Sequence, residues 1–476
     1  MKKQWTMWLG IILAGSMLAG CASSPGGAEP LTADSERLNR TETGGASGGG
    51  EERPSQAGVS GGGEEQPSQA GASGGGEEQP SQAGASGSGA EPRQMLAEEE
   101  QRWDRENDGG YEALRRFSQQ LMLENMEKEN PLLSPVSAYL ALGMVGMGAQ
   151  GETAQEFQDL MGNQMPAVSQ KLMERYPREQ EGMTLTIANS AWVDQQLNPD
   201  GQWIADMEKI FLGEGYRGIL SSQKTTDQIN EWCNENTRGL VPKMLEEPLD
   251  AEARLAVLDA IYFKGDWNFP FDASDTAMRP FTREDGTRLE VDTMSMYEED
   301  QRCLHSDLGE GVLLPYQGGD FAYVAILPQD GTEVRELYRQ LTPEALSELL
   351  ASESQVLCNL RLPKYEVSFD HELNESLQAM GLVRAFDKDL ADFSGLGTTE
   401  QGNPLYISLV KQKAVFRVDE KGTEAAAVTL VAMQECAALM EPVPRDLFFD
   451  RPFVYMILDL ETQVPLFVGM MDDPTA

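Results

Sequence analysis

Histidine is scarce in this 476-residue chain. His305 and His371 are the only two, so imidazole acid–base and nucleophile–base chemistry has almost no material to work with. His305 lies among loop-like charges, and His371 reads as the start of a helix in SFDHELNESL, so both are expected to be surface or capping residues. Two stretches match the G-x-S-x-G pattern of a hydrolase nucleophile, Gly45-Ala46-Ser47-Gly48-Gly49 and Gly71-Ala72-Ser73-Gly74-Gly75. That pattern works only on a strand-to-helix turn, and both matches fall in low-complexity sequence, so they are discarded. No phosphate-cradling glycine loop, H-E-x-x-H or paired-cysteine spacing occurs, and nothing in the chain asks for a metal or another cofactor. Carboxylates abound, with 78 Asp and Glu against 37 Lys and Arg, so composition leaves an acid-pair enzyme open. The remaining stretch with a chemical question attached is EKGTEAAAVTLVAM, residues 420–433, small and mostly uncharged in a chain of net charge −41.

With period-two alternation, Thr423, Ala425, Ala427, Thr429, Val431 and Met433 share one face of an extended segment, and none of them is charged. Such a face can be buried on a sheet, where a charge would cost several kcal/mol on desolvation. Taken alone, an Ala-rich helix or connector is the plainer reading. The elements around the run decide between them. Helical spacing over residues 111–127 is followed by a second helix capped at Ser134-Pro135-Val136-Ser137. Strand patterns then recur at residues 185–193, 255–263, 312–316, 323–328, 356–362, 414–418, 453–459 and 465–470. Helices and strands mixed without regular alternation indicate an α+β domain.

That domain is the third part of the chain. Residues 1–20 read as an export signal, Lys2 and Lys3 before an apolar run that ends in Leu18-Ala19-Gly20-Cys21. This ending resembles a bacterial lipobox, which would make Cys21 the lipidated first residue of the mature protein; a plain secretory peptide is the alternative. Residues 21–108 hold a thirteen-residue repeat, EERPSQAGVSGGG and two near copies, with too few apolar residues to offset chain entropy. They read as a disordered tether of root-mean-square span about 50 Å that lifts the domain clear of its anchor. Residues 109–476 form the folded domain and carry about −32 of the net charge by count, a surface that repels nucleic acid. Beyond Cys21 the cysteines are Cys233, Cys303, Cys358 and Cys436, at spacings that call for no structural disulfide.

From about residue 110 onward the chain resembles a serpin. The motifs run in family order: Asn130-Pro131-Leu132-Leu133-Ser134-Pro135-Val136-Ser137, Gly148-Ala149-Gln150-Gly151-Glu152-Thr153, and Ala260-Ile261-Tyr262-Phe263-Lys264-Gly265-Asp266-Trp267. They continue with Leu314-Pro315-Tyr316, Leu362-Pro363-Lys364-Tyr365, Asp450-Arg451-Pro452-Phe453 and Pro465-Leu466-Phe467-Val468-Gly469. The resemblance implies a serpin fold, three β-sheets with eight or nine helices and an exposed reactive-centre loop. It also implies a suicide inhibitor of serine proteases, with cysteine proteases as further targets, acting as a monomer and contributing no catalytic group. The opening run then becomes the hinge of the reactive loop: Glu420, Gly422, Thr423, Glu424, Ala425, Ala426 and Ala427.

Family spacing from Gly422 puts the scissile bond between Cys436 and Ala437, with a cut after Glu435, Ala437 or Leu439 as the neighbouring alternatives. A small residue there suits elastase-like or subtilisin-like enzymes. Ser134, Ser137, Asp259, Gln412 and Trp267 match the region where strands of the main sheet part. Two of these depart from the family pattern, Asp259 standing for asparagine and Gln412 for histidine, and Asp259 is expected to accept a hydrogen bond from the Gln412 amide. A non-inhibitory serpin used as a binding protein or chaperone, and a surface adhesin in which the repeats matter most, are the competing classes. The expected location is extracytoplasmic, with lipid on Cys21 in the membrane and the domain at the cell surface.

Overall fold

Segments of period two and segments of period 3.6 sort into separate layers in the computed structural model, which describes residues 28–31, 110–399, 402–423 and 443–476. Cys21, Glu424, Ala425, Ala426, Ala427, Cys436 and Ala437, the signal and most of the repeat region lie outside the described residues. The main sheet has eight strands. Its path is β1 (Glu29–Leu31), β6 (Glu214–Gly218), β4 (Met183–Asp194), β7 (Leu255–Asp266), β16 (Gly422–Thr423), β15 (Lys411–Val418) and β13 (Tyr365–Glu372), with β3 (Arg178–Gln180) paired to β4.

A second sheet of nine strands runs β17 (Arg445–Phe448), β12 (Ser354–Pro363), β9 (Arg288–Ser306), β10 (Gly309–Pro315), β11 (Phe321–Pro328), β18 (Phe453–Asp459), β19 (Pro465–Met471) and β2 (Leu132–Leu133), with β8 (Ala277–Thr282) on β9. A third sheet pairs β5 (Leu197–Pro199) with β14 (Gly397–Thr399). Nine α-helices stand among the described residues: α1 (Tyr111–Leu123), α2 (Pro135–Gly146), α3 (Gly151–Met161), α4 (Met165–Arg175), α5 (Gly201–Ile210), α6 (Gln223–Asn236), α7 (Val334–Gln340), α8 (Pro343–Ala351) and α9 (Asn374–Ala379). Three sheets and nine helices are the α+β architecture that the resemblance implied.

Local chemistry explains the layers. The residues of β18 and β19 are buried at every position, which is why both read as unbroken apolar runs rather than as alternation. Helix α2 is apolar nearly all round because it is the central helix: Val136, Tyr139, Leu140, Met144 and Val145 are all buried. The Ser134 side chain caps it by accepting from the Ser137 N–H, and Pro135 occupies the first turn, where its missing donor is harmless. On the other face of the main sheet, α6 starts at a Ser222 cap and buries Ile229 and Trp232 against Trp192 and Leu220 in a second, smaller core.

Three expectations are corrected here. His371 lies near the end of strand β13, three residues before Asn374, the first helical residue, because the alternating YEVSFDHE pattern extends through it. His305 sits in β9, a strand whose charged middle, buried only intermittently, hides it from periodicity. Residues 28–31 of the repeat-bearing region are not free chain but a strand on the main sheet.

A bidentate ion pair ties the helices to the second sheet. Arg175, at the end of α4, gives Nε and Nη2 to the two carboxylate oxygens of fully buried Asp459 at 2.8 and 2.9 Å. Burial pushes the Asp459 carboxyl up, but Arg175 and the Glu461 and Thr462 donors outweigh it and hold the group below its ordinary value. Replacing Arg175 with Met leaves that carboxylate buried without its counter-charge, so the expected result is a loss of about 3–5 kcal/mol in denaturant unfolding at neutral pH. Because the depressed Asp459 supports the fold only while ionised, the deficit should shrink as pH falls toward the acid range.

Candidate functional site

Strand β15 ends at Val418, the chain turns through Asp419, Glu420 and Lys421, and Gly422–Thr423 folds back as β16 between β15 and β7. The register pairs Val418 with Thr423 on one side, and Gly422 with Asp266 and Thr423 with Gly265 on the other. Gly422 is required by close approach: a Cβ there would lie 2.0 Å from the Gly265 carbonyl oxygen and 2.8 Å from Asp266 Cα. Thr423 is buried, and its hydroxyl shares a 2.6 Å hydrogen bond with the Tyr316 hydroxyl.

Backbone and side-chain contacts clamp the turn from both flanks. Trp267 donates its indole N–H to the Asp419 carbonyl at 2.9 Å and its backbone N–H to the Lys421 carbonyl at 2.7 Å. Its ring stacks on Tyr316 with centroids 4.8 Å apart, so the Trp267–Tyr316 pair holds both the turn and Thr423. Glu420 accepts from Lys364 Nζ at 2.9 Å and from the Thr276 hydroxyl at 2.8 Å, while its carbonyl accepts from the Phe271 N–H. Burial raises the Glu420 carboxyl, and these donors more than reverse it, keeping the group below its ordinary value and ionised. Lys364 and Tyr316 stand in motifs that the sequence displays, but Thr276 and Phe271 carry no sequence signal for this role.

Among the described residues no ladder joins β7 to β15 directly; β16 alone links them. Just beyond Thr423 a space of about 300 Å³ opens between the strands, lined by Phe263, Phe416 and, from the second sheet, Ile457 and Phe467. Further along, a cleft of about 910 Å³ lies between β7, β15 and α2, with Ser137, Leu142, Val257, Asp259, Val410 and Gln412 on its walls. Ser134, Ser137, Asp259 and Gln412 therefore do come together at one place. Trp267, grouped with them on sequence, sits at the hinge end instead.

The expected bond between Asp259 and Gln412 is absent. The Gln412 amide is fully engaged by the Ser134 backbone, accepting from its N–H at 3.0 Å and donating to its carbonyl at 2.9 Å. An amide satisfies a donor and an acceptor at once, so Gln412 bonds both backbone groups of the residue that caps α2. Asp259 is left buried with neither carboxyl oxygen in a hydrogen bond of normal geometry. Burial drives its pKa well above the ordinary 3.8, and nearby Ser137 offsets only part of that. A carboxyl whose native pKa is raised supports the fold most below the unfolded value, and that support is lost as pH rises toward the folded value. Asp259→Asn should therefore raise the melting temperature, and by more at pH 8 than at pH 5. An equal shift at the two pH values would contradict a neutral buried acid.

Comparison with known proteins agrees with this geometry. The model of the serpin (serine protease inhibitor) family matches residues 112–474. Iripin-3 of Ixodes ricinus is 32% identical over 74% of this chain and 91% of its own, and alpha-1-antiproteinase F of Cavia porcellus is 31% identical over 75% and 88%. The native state of tengpin, a thermophilic serpin, superposes with a TM-score of 0.70 at 30% identity, covering 76% of this chain and 93% of that one. With a hinge folded between the two inner strands of its main sheet and a family match across the whole folded domain, the chain belongs to the serpins, a family of protease inhibitors rather than enzymes.

Proposed function

We propose that this protein is a cell-surface suicide inhibitor of serine proteases, held by lipid on Cys21, with Cys436–Ala437 as the bond that it offers. The observation that supports this best is Thr423, a small uncharged residue already seated between β7 and β15 at the mouth of a cleft that its successors could fill.

In the proposed cycle the protease serine attacks the Cys436 carbonyl, the Ala437 amine leaves, and an ester joins Cys436 to the enzyme. The freed segment then extends β16. Carried on in the observed register, Ala425 would meet Phe263 and Phe416, Ala427 would meet Ile261 and Ala414, and Thr429 would meet Asp259 and Gln412. Alanine suits the narrow space between the two phenylalanines. The Thr429 hydroxyl would offer the Asp259 carboxyl a hydrogen-bond donor of normal geometry, so insertion would relieve a defect of the starting state. Fourteen inserted residues, 423–436, at about 3.3 Å each would carry the acylated protease some 45 Å along the sheet, and distortion of its active site would strand the ester.

Two experiments test this reading. Incubating residues 22–476 with elastase or subtilisin should give a denaturation-resistant covalent band and a released peptide that begins at Ala437. Cleavage with no stable band would move the chain to the non-inhibitory binding proteins. Thr423→Arg would force a charge into the buried position beside Tyr316, so it should turn the inhibitor into a substrate: cleavage continues and the covalent band drops at least tenfold. An undiminished band would overturn the insertion mechanism.

A further inference from the structure

The lower edge of the main sheet carries a feature that protease inhibition does not use. Strand β1, well ahead of the first thirteen-residue repeat, pairs antiparallel with β6: Glu29 opposite Arg217, Pro30 opposite Tyr216, Leu31 opposite Gly215. Helix α6 clamps the strand's start, because the Gln228 side chain accepts from the Ala28 N–H at 2.7 Å and donates to the Ala28 carbonyl at 3.3 Å. Leu31 is buried in the main core, while Ala28 packs against the smaller core under α6, so the segment seals both.

Two glycines make room for it. A Cβ on Gly218 would lie 2.7 Å from Ala28 Cα, and a Cβ on Gly215 would lie 3.0 Å from the Leu31 Cβ. Neither glycine has the positive φ that demands the residue, unlike thirteen others among the described residues. At Gly218 the nearest atoms that a side chain would meet all belong to Ala28; at Gly215 the two nearest belong to Leu31. Their small size thus serves the docked strand and not the local backbone.

We infer that the β6 edge and Gln228 form a docking site for the chain's own Ala28–Leu31 segment. Residues 32–109 then close a loop on the domain instead of spacing it from its anchor. Docking also covers what would otherwise be an open sheet edge. Where the lipid reading of Cys21 holds, the seven residue steps from Cys21 to Ala28 reach at most about 25 Å, against a span of about 50 Å for the free tether. The domain is then held close to the bilayer by the β6 edge.

The test uses the mature chain, residues 21–476 with Cys21→Ser, so that docking is read without lipid. Hydrogen exchange across residues 28–31 and 214–218 should be at least tenfold slower than in Gly218→Val and in Leu31→Asp, the second lying outside the domain proper. Equal exchange in all three overturns the docking site. A dimer in sedimentation that Leu31→Asp dissolves would mean that the strand comes from a second copy, and would overturn docking within one chain. For the anchored form, energy transfer from a fluorophore at Val443 to a bilayer dye should fall in Gly218→Val, and unchanged transfer would overturn the short leash. Failure of the wild type to partition into membranes would remove the lipid reading while leaving the exchange result intact.

Discussion

Strands β7 and β15 cannot hydrogen-bond to each other while Gly422–Thr423 stands between them. Neighbouring strands lie about 4.8 Å apart, so one intervening strand holds this pair about 9.6 Å apart. A two-residue strand sets that spacing but satisfies the facing backbone groups only at its own level. Everything characteristic of the molecule follows from this. The aromatic clamp of Trp267 and Tyr316 exists to hold the wedge, and the ion pair from Lys364 to Glu420 fixes the turn that delivers it. The cleft beneath lies between the same two strands and helix α2.

The two departures from the family pattern work at the far end of that cleft in opposite directions. Gln412 ties β15 to the cap of α2 through two hydrogen bonds and resists separation of the sheet from its central helix. Asp259 does the reverse, placing on the neighbouring strand a buried carboxyl that has no hydrogen bond of normal geometry and whose pKa burial raises. One substitution tightens the starting state and the other raises its energy. The proposed insertion needs both, since it must be slow to begin and favourable to finish.

Much of this was legible in the chain. The inner strands of both sheets announce themselves by apolar runs or alternation, and ordered motifs located the hinge and the residues beside the cleft. The pairing of Asp259 with Gln412 was misjudged because sequence gives proximity but not orientation: the acceptor that the amide takes is set by the backbone of Ser134, 278 residues away. Strand β9 was missed because its middle, Glu298 to Asp300, faces outward with charge where a core strand would alternate. Strand β1 was missed for a different reason. Three residues with one buried leucine hold no periodicity at all, and only the two glycines of its partner strand hint that something lies against them.

The placement of β1 matters beyond the inert protein. Strand β6 pairs with the last residues of β4, level with the start of β7, whereas the hinge enters level with the opposite end. Eight residues of strand, about 26 Å, separate the two levels. In the proposed cycle a protease carried along the sheet would therefore travel toward the docked strand. A domain of some 220 residues is about 40 Å across, wider than a gap bridged by a 25 Å leash. Where Cys21 holds the chain to a bilayer, the captured enzyme and the docked strand compete for one narrow space. Capture would then pull the strand free and let out the full length of the repeats, so the spent complex would stand farther from the membrane than the inhibitor that was waiting for it.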